Sequence, residues 1–148
     1  MAQLTVDQFN ALKAVITTEP SLASALANGA DYLVQAWCNA PTTHIVWKTS
    51  VTDEEIMMGG FDWTRVDNLS VGKARIWDWM FRFGKVDPSN QNIRTGIDSV
   101  WVGTASDLAV RAAVYAHCKR PATKAESILA VGTGTDVSPA TLTFEGNI

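Results

Sequence analysis

Apolar residues recur at helical spacing along most of the chain. Thr5 pairs with Gln8 in the form of a capping box, and the apolar positions that follow predict a helix over 5–18. The same signals, a capping residue followed by an apolar stripe that ends at glycine or proline, predict further helices. These helices are expected to begin near Pro20, Asp31, Thr52, Asp62, Ser70, Asp87, Thr104 and Thr123. The pattern therefore predicts a mainly α fold.

Three of the predicted helices have a distinct apolar face. After Ser70, the spacing predicts core positions at Val71, Ala74, Trp77, Met80 and Phe81. Asp87-Pro88 has the form of an N-cap and first turn, and the stripe after it is Ile93, Ile97, Val100 and Trp101. The longest predicted helix runs from 104 to about 119, with its apolar face at Leu108, Ala112, Tyr115 and Cys118.

Strand character is confined to two short segments, 44–51 and 141–144, which are rich in β-branched and aromatic residues. We expect a compact multi-helix body over 1–131 and an extended C-terminal arm over 132–148. Pro139 favours an extended arm, and Leu142 and Phe144 share one side of its predicted strand. The arm carries too little apolar area to fold alone, which favours ordering on a neighbouring subunit by strand addition or groove binding.

Composition indicates a surface that is poor in charge. Hydrophobic residues make up 47% of the chain and charged residues 18%, below the ~25% that is typical of soluble domains. The chain also has six tryptophans, a residue type that is enriched in interfaces. A net charge of −3 gives no general attraction for nucleic acid or anionic lipid, so neither is an expected partner. No stretch is long and apolar enough to predict a membrane span, which favours residence in a reducing cytoplasm.

The residues that could carry chemistry are few and poorly spaced. His44 and His117 are the two histidines, and the side chains of His117 and Cys118 diverge by about 100° on a helix. Together with Cys38 they do not match zinc-ligand spacing. Gly132-Thr-Gly134 lacks the strand and the lysine of a phosphate loop, and the acidic run 53–55 suits the first turn of a helix. We therefore predict a non-enzymatic protein with no catalytic residue, cofactor or metal.

The tryptophans are candidates for contacts with a partner. Trp77 and Trp79 are two positions apart, so they point about 200° away from each other and at least one should be exposed. Trp47 and Trp63 lie in short segments beside polar residues, where they either contact a partner or cover the edge of the core. The candidate assembly interface combines these tryptophans with the arm: Trp47, Trp63, Trp79, Pro139, Leu142 and Phe144.

Four segments resemble a family of small proteins encoded among the virion genes of tailed bacteriophages. They are NAPTTHIVWKTSV (39–51), DPSNQNIRTGI (87–97), KRPATKAE (119–126) and GTGTDVSPATLTFEG (132–146). The similarity covers nearly the whole chain in the same order. It implies a structural protein, and it supplies no catalytic motif.

The resemblance implies a virion protein that is made in the cytoplasm of the host bacterium. The expected role is a head-to-tail connector or adaptor (neck) subunit that forms a ring of copies, a homo-oligomer whose partners are portal, neck or tail subunits. One alternative is a tail protein or a capsid-decorating protein. A different class is a small phage enzyme or a host-directed binding protein that never enters the particle.

Overall fold

A computed structural model describes residues 3–130 and 145–148. The structure is 60% helical and its strands are short, which confirms the predicted mainly α fold class. In chain order, the elements are α1 (Val6–Thr18), a 3-10 turn (Pro20–Leu22), α2 (Ala23–Ala27), α3 (Asp31–Asn39), β1 (Pro41–Trp47), β2 (Val51–Thr52), α4 (Asp53–Met57), α5 (Trp63–Asp67), α6 (Val71–Met80), β3 (Lys85–Val86), α7 (Gln91–Val100), α8 (Ala105–His117), β4 (Lys119–Thr123) and α9 (Lys124–Leu129).

The helix starts follow the local signals closely. Capping boxes form at all four predicted threonines, Thr5, Thr52, Thr104 and Thr123, and each threonine accepts a hydrogen bond from the backbone three residues later. Two predicted starts differ. Asp31 is the first residue of α3 and not its cap, and α7 begins at Gln91 with Asn90 as its cap. The Asp87 carboxylate instead accepts hydrogen bonds from Ser89, so the Asp87-Pro88 pair forms a turn ahead of the helix.

The described residues divide into two compact units. Unit 1 takes its residues from Met1–Val46 and Pro121–Ile148, and unit 2 is Trp47–Arg120. Two small sheets are present in the described part: β1 pairs with β4, and β2 pairs antiparallel with β3 in the register Val51↔Val86. The strand β4 includes Pro121, which was expected to follow a helix that reached Lys119. A proline fits in a strand wherever its nitrogen does not face the partner strand, because proline has no N–H to donate to the sheet.

The core of unit 1 joins α1 and α3 to α9. Its buried residues are Leu12, Cys38, Ala125 and Leu129. The Ile148 side chain packs against this cluster, and the Ile148 backbone exchanges hydrogen bonds with the Asn39 amide at 2.9 and 3.1 Å. The end of the predicted arm therefore contacts its own chain. The other arm residues of the candidate interface, Pro139, Leu142 and Phe144, lie outside the described residues.

The core of unit 2 is larger and contains a fully buried tryptophan. Its buried members are Val51, Ile56, Val86, Ile97, Val100, Trp101, Val110, Val114 and Cys118. The predicted stripe of α7 is confirmed, since Ile97, Val100 and Trp101 are buried and Ile93 packs on the cluster.

The predicted face of α8 is correct only toward its C-terminal end. Cys118 is buried and Tyr115 packs on the core, but Leu108 is 44% exposed and Ala112 is exposed, and Val110 and Val114 are buried instead. Leu108 and Val110 are two positions apart on the helix, so the buried Val110 side chain points about 200° away from Leu108, where the predicted stripe begins. Tertiary packing decides the outcome, because α4 and α5 pack on α8.

The predicted face of α6 is correct only in its second half. Trp77, Met80 and Phe81 pack against the core, but Val71 is 75% exposed and Ala74 is exposed. The helix α6 packs mainly on α7, where Gly96 has no side chain and the Met80 sulfur lies 3.0 Å from the position that a Cβ atom would occupy. This close approach anchors the end of α6, and its first turn extends into solvent.

Candidate assembly surface

The tryptophans of unit 2 fall into different environments. Trp79 is 72% exposed while Trp77 packs on the core, as their spacing on α6 requires. Trp63 is 59% exposed at the start of α5. Two of the candidate interface residues therefore offer large apolar surface to a partner.

Trp47 has partners inside its own unit. Its ring meets the Tyr115 ring edge-on, with 5.2 Å between centroids. The Arg94 guanidinium and the Lys119 ammonium each lie 4.9 Å from the Trp47 centroid, within the range of cation–π attraction. These contacts explain the position of Trp47 at the edge of the core. The sequence left two interpretations open, contact with a partner or cover for the core edge, and the contacts fit the second.

An aromatic cleft lies beside the exposed Trp63. Four rings line it, from Phe61, Trp63, Trp77 and Phe81, and its volume is about 440 Å³. Phe61 stacks on Trp77 with 6.0 Å between centroids, and it meets Trp63 edge-on at 5.2 Å. Trp77 and Phe81 are 4.9 Å apart, one helical turn from each other. The walls of the cleft are therefore rings that hold one another in place.

Trp101 supports these rings from the core. It is fully buried, and it contacts Trp77 at 5.3 Å and Phe61 at 5.8 Å between centroids, both nearly perpendicular. Its indole Nε1 is buried and has no hydrogen-bond partner among residues 3–130 and 145–148. A tryptophan packed in this way limits the rotation of both rings, so the aromatic cleft is preformed.

The rim of the aromatic cleft carries charge of both signs. Asp53, Asp78 and Arg82 line it, and within the described part of the chain none of the three belongs to an ion pair. Asp53 stands in the first turn of α4, where the helix dipole favours its charge. Two carboxylates of this rim are therefore available to a basic partner.

Phe83 is an exposed aromatic residue that the sequence analysis did not identify. It is 89% exposed and lies just past the end of α6, before Gly84, whose φ is +75°. The sequence did contain an indication of this exposure. Phe83 lies two residues after the core residue Phe81, so the two side chains point in different directions. Met58, 84% exposed, adds a further apolar side chain to the surface of unit 2.

Unit 1 has an apolar groove of its own. Its volume is about 490 Å³, and its lining includes Phe9, Leu12, Ile16, Val34 and Ile148. The groove lies directly over the cluster that contains Leu12 and Cys38. It is thus a shallow extension of the core of unit 1, and Ile148 already covers part of it.

The two histidines have ordinary polar partners. His117 Nε2 lies 2.9 Å from the Gly59 carbonyl oxygen. His44 Nδ1 lies 2.8 Å from Ser127 Oγ, a pairing across 83 residues that spacing alone does not reveal.

The cysteines are buried thiols. Burial, the main cause, raises the pKa of Cys118 to about 11, and burial also raises the pKa of Cys38. Since the thiolate is the reactive form, burial disfavours reaction of both thiols at neutral pH. Over residues 3–130 and 145–148, no three His, Cys, Asp or Glu side chains gather in a way that could hold a metal ion. The same residues include no helix with the length and apolarity that a membrane crossing requires.

Comparison with known proteins finds no relative of this chain. No protein-family model, no curated protein and no solved structure matches it.

Proposed function

We propose that the chain is a non-enzymatic structural protein of a tailed-bacteriophage virion. Its role in this proposal is that of a head-to-tail connector or adaptor subunit, present as a ring of copies that contacts portal, neck or tail subunits. The resemblance of its four sequence segments supplies the viral context. The observation that supports an assembly role is the exposure of Trp63, Trp79 and Phe83 on one unit.

Large exposed aromatic residues favour association for a simple physical reason. Removing apolar surface from water gains roughly 25 cal/mol per Å², and aromatic side chains bury about 150–250 Å² each. Aromatic anchors of this kind also dominate the energetics of protein interfaces. A subunit that is bound to neighbouring copies would cover these side chains.

Mass spectrometry of purified phage particles tests the proposal directly. The chain should be present in a fixed number of copies relative to the portal protein, and cryo-electron microscopy should locate it at the neck. A location on the tail or the capsid surface would replace the connector role with the alternative structural role. Absence from the particle would overturn the proposal.

A genetic test examines the exposed surface. Trp79→Ala should reduce the yield of complete particles while the isolated protein keeps its fold by circular dichroism. Tyr32→Ala, at a similarly exposed aromatic residue of unit 1, is the matched control and should leave the yield close to wild type. Equal yields from all three proteins would remove the role of Trp79 in assembly.

A further inference from the structure

We infer that a second copy of this chain docks in the aromatic cleft of unit 2, with Phe83 as its anchor. The inference deepens the proposed assembly function and rests on it, because it assigns one contact between copies. It follows from three features of unit 2: the preformed cleft, the exposed ring of Phe83, and the charges that surround each of them.

The cleft has the size and chemistry to hold an aromatic side chain. About 440 Å³ is enough for one phenyl ring together with the backbone that carries it. The walls present ring faces and edges from Phe61, Trp63, Trp77 and Phe81, and aromatic pairs favour such offset and perpendicular arrangements. Because Trp101 holds the walls in place, little ordering is needed on binding, which lowers the cost of association.

Phe83 is presented as a fixed projection. The turn that carries it is closed by hydrogen bonds from Arg82 N to Trp79 O at 3.3 Å and from Gly84 N to Phe81 O at 2.7 Å. Immediately after the turn, Lys85 enters β3 and pairs with Thr52 of β2. With both flanks of the turn tied to regular elements, the ring projects from a defined backbone.

The charge beside the ring complements the net charge of the cleft rim. Lys85 follows Phe83 by two residues and forms no ion pair within the described residues. The cleft rim carries Asp53 and Asp78, which also form none there, against one basic residue, Arg82. Insertion of Phe83 would bring Lys85 of one copy toward a rim with one net negative charge on the other, which favours this orientation and raises the association rate.

Disulfide trapping between two differently tagged full-length chains tests the contact. One chain carries Lys85→Cys and the other carries Asp78→Cys, which keeps Phe83 and the rings of the cleft intact, while Cys38 and Cys118 are buried. We expect a disulfide-linked pair of the two tagged chains under mild oxidation. The control pair, Lys85→Cys with Tyr32→Cys, should link at least about tenfold more slowly. Equal rates would overturn the inference.

Sedimentation velocity over a range of concentrations supplies the energetic test. Because anchors in interface pockets carry most of the binding energy, Phe83→Ala should weaken self-association by about tenfold or more in Kd. Tyr32→Ala should not change it. Asp78→Lys should weaken association, and adding Lys85→Glu in the same chain should restore part of it.

The outcomes separate this inference from the proposed function. A Kd for self-association that is unchanged in Phe83→Ala, or a wild-type chain that stays monomeric at every concentration, overturns the docking contact and leaves the virion role to the particle analysis. Absence of the chain from particles overturns the virion role, whatever the trapping shows. Self-association that depends on Phe83 supports the contact, whether the product is a dimer or a larger ring.

Discussion

Asp107 combines two tasks in one side chain. One carboxylate oxygen accepts hydrogen bonds from Arg65 Nε and Nη2 at 3.1 and 2.7 Å, which joins α5 to α8. The other oxygen accepts from Thr104 N at 3.2 Å and completes the capping box of α8. The bond from Arg65 is the main cause that lowers the pKa of Asp107, and those from Thr104 lower it further. The charged form of Asp107 is therefore the one that stabilises the fold.

We predict that Asp107→Asn destabilises the protein in a pH-dependent way. A carboxyl whose pKa is lowered by folding contributes stability that is complete above its unfolded pKa of about 3.9 and is lost as the pH falls through the folded pKa. The difference in unfolding free energy between wild type and variant should be largest near pH 7 and shrink below about pH 4. Urea unfolding at several pH values measures it.

Asp67→Asn is the matched control for this prediction. Asp67 ends α5 as an exposed carboxylate, and it forms no ion pair in the part of the chain that the structure describes. Its substitution should have little effect at any pH. A deficit in Asp107→Asn that stays constant from pH 7 to pH 3 would show that shape, and not charge, matters at this position.

At the residue scale, local signals were predictable and distant partners were not. The four threonine caps depend on atoms three residues away, so the sequence contains the whole interaction. The ion pair of Asp107 with Arg65 and the bond between His44 and Ser127 join residues 42 and 83 positions apart. Nothing in the spacing of those residues indicates that the chain brings them together.

At the scale of single elements, α8 shows why hydrophobic periodicity predicted only part of the buried face. Its sequence ASDLAVRAAVYAH is apolar around most of the helix, so more than one stripe fits the helical period. The stripe of Val110 and Val114 is buried because α4 and α5 pack on that side. In α7, polar residues separate the apolar ones, a single stripe fits, and the prediction was correct.

The face of α8 gives a prediction on stability. Val114→Ala removes two fully buried methyl groups and should lower the unfolding free energy by about 2 kcal/mol. Leu108→Ala removes more carbon atoms but from an exposed side chain, so it should cost less than about 1 kcal/mol. Chemical denaturation of both variants decides between the two faces. A larger loss in Leu108→Ala would restore the face that the sequence pattern favours.

Two tryptophans of α6 allow a second comparison within one element. Trp77→Ala removes a ring that contacts Phe61, Phe81 and Trp101, and it should cost about 3 kcal/mol. Trp79→Ala should change the stability of the isolated protein by less than about 1 kcal/mol, since the ring is exposed. Urea unfolding followed by far-UV circular dichroism measures both. Similar losses in the two variants would mean that Trp79 has a packing role within the chain.

At the scale of the whole molecule, the sequence predicts one helical body where the structure describes two compact units. The sequence of each helix indicates its own apolar face, but it does not indicate which other helix packs against that face. The core of unit 1 draws Leu12 and Cys38 from early in the chain and Ala125 and Leu129 from late in it. The sequence did not predict the aromatic cleft for the same reason, because its rings come from two separate segments of unit 2, 61–63 and 77–81.

The division into units predicts that residues 47–120 fold alone. Every buried member of the larger core lies between Val51 and Cys118, and the cap and ion pair of Asp107 lie there too. The isolated segment should show a helical circular dichroism spectrum, dispersed amide resonances and a cooperative thermal transition. Its stability should be modest, because so short a chain buries a smaller share of its surface.

Residues 1–46 alone should not fold, because they lack the α9 side chains that complete the core of unit 1. A chain in which a short glycine-serine linker joins 1–46 to 121–148 supplies both halves of that core and should regain helical structure. Comparing the three polypeptides separates two cases. If 47–120 is unfolded while the full chain is stable, the larger core needs the rest of the chain. If 47–120 and the linked chain each fold, the two units are independent folding units, and unit 2 is an insertion between the two halves of unit 1.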